Sequence, residues 1–379
     1  MKFSISRLKE KALELGFLAV GIGSAEPFPL YRRELRSRPE MYEWGRDLAE
    51  RTSLRNLHLE RFADPQEFLS EARSIIVVVD GYAETAFPPS LVGRIGRCYQ
   101  KGLFSRIDTA AKRRRKEFRK FLQGQGLKVL YGPAPARLAG SRAGVTHFGK
   151  NAFAYANEVA GQSSWIVNEP YLVDQELSPD TSTFYLGCPE GCRICLEACP
   201  TGALYEPLRM DPRRCIAFHT YFNDGEIPRD LRPKMGTWVY GCDICQEVCP
   251  RNQKWLEEEK PPDPELFRRA EDWALARLLT MTQEYYESRV WPFLFYIRRE
   301  NRKLWQRNAA VALGNEGSPD TIPLLHSALE DPEPLVRCHV AWALGRIGGA
   351  KARKALEAQL RKEGEKNVRE EIRWALERM

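Results

Sequence analysis

Seven cysteines in two closely spaced runs, with an eighth between them, carry the strongest chemical signal in the chain. The first run is Cys188, Cys192, Cys195 and Cys199 with Pro200 directly behind; Cys242, Cys245 and Cys249 with Pro250 echo it. Thiolates are soft ligands that suit iron–sulfur clusters and zinc alike. The terminal Cys-Pro separates the two, because in the bacterial ferredoxin pattern three close cysteines hold one cluster and the cysteine before proline ligates the other. The second run is one cysteine short of that pattern, and Cys215, in RRCIAF, is the only unused cysteine nearby. Crossed ligation then accounts for all eight. Cys188, Cys192, Cys195 and Cys249 are expected on one four-iron four-sulfur cluster, and Cys199, Cys215, Cys242 and Cys245 on the other. Two structural zincs are the runner-up. Disulfide staples do not suit the pattern: ten cysteines in 379 residues, eight of them between Cys188 and Cys249, cluster like metal ligands rather than like a small secreted scaffold. Two adjacent clusters make an electron wire, and something at its end must accept or deliver electrons. Cys98 and Cys338 lie outside the runs and read as small buried apolar residues.

The elements that must position these thiols divide the chain into three expected domains. Ser4 to Leu15 carries apolar residues at helical spacing and ends before Gly16, and a second helix is expected over Ile107 to Leu122. Ser74 to Asp80, SIIVVVD, reads as a buried strand, and Lys128 to Tyr131 as a weaker one. Helices alternating with short apolar strands imply a helix-covered sheet, so residues 1–185 are expected to form an α+β domain with an α/β-like order. Residues 186–256 read as a ferredoxin-like double-cluster domain organised by its inorganic contents, and EEEKPPDP from Glu257 as a linker. In residues 265–379 Ala312-Leu313, Ala343-Leu344 and Ala375-Leu376 recur at periods of 31 and 32 residues, the signature of a short all-α stack of HEAT-like repeats.

No stretch approaches the ~20 apolar residues of a membrane span, and the N-terminus lacks an apolar signal core. A reducing cytoplasm and no membrane partner are expected. The net charge of +7 is uneven, with ten basic and two acidic side chains from Arg97 to Lys120. Such a run is either a solvated helix face or a surface for a polyanion.

The chain also resembles the epoxyqueuosine reductases, along nearly its whole length and in order. The resemblance is carried by LKEKALELGFLAVGIGSAEPFP, EARSIIVVVDGY, RAGVTHFGKNAF, CLEACPTGALYEPLRMDPRRCIAF, MGTWVYGCDICQEVCPRN and RNAAVALGN. It implies cobalamin beside the two clusters, with Gly144, His147, Gly149, Lys150 and Asn151 near the corrinoid. It further implies electrons passed through the clusters to cobalt, tRNA as a partner, an electron donor such as ferredoxin or flavodoxin, and a monomer. The alternative is a ferredoxin-like electron-transfer or docking protein without substrate chemistry of its own. Three departures bear on the substrate. Leu130 stands where the family usually presents its proposed proton-donating aspartate, and Tyr131, His147 and Tyr155 are the nearest alternative donors. Cys188 and Cys192 are separated by three residues where the family commonly has two. WPFLFYIRRENRKLW replaces the usual lead into the repeats, suggesting a different substrate mouth.

Overall fold

The computed structural model describes residues 4–43, 59–103, 105–158, 161–294 and 296–379. Its N-terminal part is built on a four-stranded sheet in the order β1 (Ala19–Ser24), β2 (Ser74–Gly81), β6 (Ile166–Val173), β3 (Val129–Tyr131). Every pairing in it is antiparallel, so the α+β description holds and the sheet is not doubly wound. Alternation along β2 splits its apolar residues between two cores. Ile76 and Val78 face the Ile5–Glu14 and Ala110–Gly124 helices through Leu8, Ala12, Phe118 and Leu122. Ile75, Val77 and Val79 face the Ala136–Arg142 helix through Ala139, Ala143 and Val145. This second face looks toward the cysteines.

The first helix starts where Ser4 caps the Arg7 N–H, and the second begins at Ala110 behind a Thr109 cap rather than at Ile107. The basic run is partly structural. Arg114 pairs with Asp80 and Arg115 with Glu169, both carboxylates fully buried, while Lys112, Lys116, Arg119 and Lys120 face solvent.

Beyond the sheet, β4 (Thr146–Phe148) and β5 (Ala154–Ala156) form a hairpin whose turn is the Gly-Lys-Asn stretch. A second hairpin, β7 (Leu204–Glu206) with β8 (Arg209–Met210), follows the first cysteine run. The tail stacks the Arg302–Glu316, Pro334–Ile347 and Lys366–Leu376 helices side by side. The repeated Ala-Leu is followed by Gly314 and Gly345 for a steric reason: a Cβ at Gly314 would meet Ala343 Cα at 2.8 Å, and one at Gly345 would strike Ala375. The expected linker is tied down, with Ala86 N–H bonded to the Pro261 carbonyl at 2.9 Å. One apolar core runs from Leu91 and Ile95 through Trp238, Val239 and Tyr240 to Ala375.

Candidate metal centre

Each cysteine run contains a one-turn helix, Ile194–Glu197 and Ile244–Glu247, which places Cys195 and Cys245 in equivalent positions. Cys249 and Pro250 then begin the Pro250–Glu257 helix, with proline at the position where its missing N–H costs nothing. The thiols shape each other's protonation. Burial pushes Cys195 up to about 11, and the thiols that add to this are Cys188, Cys192 and Cys249. Burial also raises Cys245, and Cys215, Asp243 and Cys199 add to it, with Cys195 the weakest of these influences. Cys242 is raised by burial and then by Cys245.

The spacing of the sulfurs bears on which metal they suit. In a tetrahedral zinc site at ~2.3 Å per bond, sulfurs sit within ~4 Å of one another. Among the described residues, the only group of three or more such side chains with ligand atoms all within 4.8 Å is Glu226, Cys338 and Glu371. Arg229 and Arg232 already neutralise Glu371, so that group is an ion-pair knot between the cluster region and the tail. Among the described residues, no three of the eight cysteines bring their sulfurs within 4.8 Å of one another, which is not the packing of a tetrahedral zinc site. A cavity of ≈230 Å³ is lined by Cys199, Cys215, Cys242 and Cys245 together, with Ala203, Leu204, Ile216 and Phe218 among its apolar walls. Its chemistry fits a cluster, with four thiols, apolar surroundings and no carboxylate.

The N-terminal part supplies the rest of that cavity through Arg137, Asn151, Ala152 and Phe153. Of the five residues expected near a corrinoid, Asn151 alone lines it. Asn151 Nδ2 donates to the Tyr155 hydroxyl and to the Cys245 carbonyl, both at 3.0 Å. Lys150 has turned the other way: its ammonium donates to the carbonyls of Pro189, Glu190 and Cys192, and its N–H reaches Cys188 Sγ at 3.4 Å. A side chain at Gly144 would strike the Thr181 carbonyl, and one at Gly149 the Tyr155 ring. His147 accepts from Arg251 at 2.7 Å, and burial followed by the Arg251 charge lowers its pKa to about 4. It is therefore neutral at neutral pH.

Leu130 pairs with Leu172 and packs with the apolar cluster under the Ala136–Arg142 helix, on the face toward the centre. Tyr131 points to the opposite face, where its hydroxyl meets Arg115 beside Glu169. Burial raises Glu169 to about 8. Burial raises the Tyr155 hydroxyl, and the nearby Cys249 adds to it. Tyr131 is thus on the far face, and His147 and Tyr155 are engaged by Arg251 and Asn151.

Several supporting residues escaped the sequence reading. Asp243 accepts the Arg97 N–H at 2.7 Å, and Asn252 bridges Ser164 and the Gln246 carbonyl at 2.8 Å each. The only available signal was a polar residue held next to each cysteine motif, Asp243 after Cys242 and Asn252 behind Cys249-Pro250. The aromatic lead-in packs beside the second group of cysteines: Tyr296 stacks on Tyr221 at 4.9 Å, and Trp291 lies under Arg106 at 4.1 Å.

A two-cluster cysteine scaffold, clamped beneath an α+β domain and backed by a helical stack, is that of an iron–sulfur oxidoreductase. Residues 188–252 match a 4Fe-4S double cluster binding domain, and residues 292–377 match HEAT repeats. The epoxyqueuosine reductase of Escherichia coli is 31% identical over 370 residues, covering 90% of this chain and 88% of that one. That of Bacillus anthracis is 29% identical over 383 residues, covering 96% and 94%. A crystal structure of epoxyqueuosine reductase with an epoxyqueuosine-modified tRNA-Tyr stem loop superposes with a TM-score of 0.76 at 25% identity, covering 98% of this chain and 97% of that one. The chain belongs to the epoxyqueuosine reductase family.

Proposed function

We propose that this chain is a cobalamin- and iron–sulfur-dependent reductase acting on epoxyqueuosine in tRNA or on another reducible compound. Cys188, Cys192, Cys195 and Cys249 hold the outer cluster, and Cys199, Cys215, Cys242 and Cys245 hold the inner one. The observation that carries this reading is the single cavity lined by all four inner thiols and closed by Arg137, Asn151, Ala152 and Phe153 of the N-terminal part. Those last four residues are the ones that would seat a corrinoid within reach of the inner cluster. When bound, a corrinoid supplies a low-valent cobalt able to attack or reduce the substrate. The chain's own residues hold the cluster loops, keep water from the inner thiols through Ile216, Phe218 and Tyr221, and present a proton-free wall at Leu130.

That wall favours a second reading, a ferredoxin-like electron-transfer protein without substrate chemistry of its own. Anaerobic reconstitution separates the two. The first reading expects about eight iron atoms per chain, a base-off spectrum on adding one equivalent of hydroxocobalamin, and turnover of an epoxyqueuosine-bearing stem loop or another reducible substrate. Loaded clusters with no spectral response to cobalamin would sink the first reading and leave the second.

A further inference from the structure

RNAAVALGN, in the first helix of the stack, carries polar side chains at Arg307, Asn308 and Asn315 among apolar ones, and the first two are both 0% exposed. Polar groups are buried at a cost unless their hydrogen bonds are met. Apart from the bonds between the two of them, every hydrogen bond of these two side chains ends on a carbonyl of the segment that joins Cys215 to Cys242. The helix thus grips the chain between two inner thiols.

The grip falls on both arms at once. Cys215 begins the Ile216–Tyr221 helix, its carbonyl accepting the His219 N–H at 3.2 Å. The last carbonyls of a helix have no partner within it. Here the tail supplies the partners, Arg307 for the His219 carbonyl and Asn308 for the Thr220 carbonyl at 2.7 Å. Asn308 Nδ2 also donates to the Val239 carbonyl at 2.9 Å, on the approach to Cys242. One carboxamide therefore bridges the Cys215 arm and the Cys242 arm. Thr220 repeats the link, its hydroxyl accepting the Gly241 N–H at 2.9 Å. Arg307 fixes which way the carboxamide faces: its Nε and Nη2 donate to Asn308 Oδ1 at 3.0 and 2.9 Å, which turns Nδ2 to the two carbonyls. The remaining guanidinium N–H groups hold the Asn223 and Gly225 carbonyls at 2.8 and 2.6 Å, so every donor of the buried cation is used.

We infer that Asn308, oriented by Arg307, is the positioning residue of the inner cluster, setting the separation of the Cys215 and Cys242 arms from the side of the helical tail. The inference rests on the ligand assignment proposed above. Cys215 is the one inner ligand outside the two cysteine runs. Short spacing places the other thiols; this one has no neighbouring cysteine to set its distance, and the bridge through Asn308 does so. The tail is then part of the cluster site, beyond any surface it offers to a partner.

The test uses the full-length chain, reconstituted anaerobically and challenged with an iron chelator. Release is followed by absorbance, and the dithionite-reduced protein by electron paramagnetic resonance. Asn308→Asp keeps the shape and an acceptor for Arg307 but cannot donate to either carbonyl. The inner half of the iron should then leave about tenfold faster and the inner-cluster signal should change shape, while the outer half leaves at the unaltered rate. Asn308→Ser removes the bridge without burying another charge, and should give the same two-phase release if the first variant does not fold. Asn315→Leu is the matched control, since it strips two 2.8 Å bonds to the Arg232 and Gly236 carbonyls from the same helix. It should lower the thermal midpoint to a similar degree and leave both phases intact. Unchanged release in the Asn308 variants, equal acceleration of both halves, or the same inner-half loss in Asn315→Leu would reduce the bridge to general packing and overturn the inference. A chain that takes up no iron at all would overturn the ligand assignment instead.

Discussion

Leu130 presents methyl groups to the apolar cluster under the Ala136–Arg142 helix, its register against Leu172 fixes that orientation, and we propose that it takes the place of the family's proton-donating acid. A general acid is worth roughly 100 to 10,000-fold in rate. The chain should therefore open epoxyqueuosine slowly, and Leu130→Asp should raise turnover on an epoxyqueuosine stem loop at least about 100-fold. Leu130→Asn, which carries the same packing loss without an ionisable group, should not. Fast turnover by the unaltered protein would show that another donor acts, and the face opposite Tyr131 would be the place to look for it. At the same scale, His147 cannot be that donor near neutrality, since burial and Arg251 hold it unprotonated.

The β4–β5 turn acts as a clamp between the sheet and the cluster loops, with Lys150 answering three carbonyls of the Pro189–Cys192 loop. Hydrogen bonds to a charged donor contribute about 1.5 to 3 kcal/mol each and leave buried acceptors unpaired when lost. Lys150→Met should thus lower the thermal midpoint and the iron retained after gel filtration, with the outer cluster lost first in the electron paramagnetic resonance spectrum. The cysteine motifs, the Ser74–Asp80 strand and the Ala-Leu repeat could be read from sequence because each follows a local rule: ligand spacing, β-branched run, helical period. Strands β1 and β6 could not. In β1, Gly21 and Gly23 weaken any strand reading, yet a Cβ at either would strike the Ala136–Arg142 helix or the residues just behind it. In β6, Pro170 argues against a central strand. It is tolerated because its carbonyl takes the Gly132 N–H, so its missing donor falls just past the last residue of β3. Both reasons are tertiary and invisible in a window of neighbours. For the same cause the resemblance could single out the Gly-Lys-Asn stretch, while the direction in which Lys150 turns was not legible.

Across the whole molecule, the largest core joins Leu91 and Ile95 to the cluster region and on to the last helix, and the Arg229, Arg232 and Glu371 knot ties the same parts together. Deleting residues 292–379 would bare Trp238, Val239 and Tyr240, so the shortened chain should be insoluble or fail to hold iron. The intact protein should melt in one transition by near-ultraviolet dichroism. A domain-by-domain melt with a soluble, iron-loaded fragment would contradict this. The same core has a bearing on biosynthesis. Ile95 leaves the ribosome long before the tail helices that complete its surroundings, and such distant pairings form slowly. During that interval the eight thiols stand open to oxygen and to stray metal ions. Recombinant yield should therefore depend more on iron supply and oxygen exclusion during synthesis than on the stability of the finished protein, as iron content per chain from aerobic and anaerobic cultures would show.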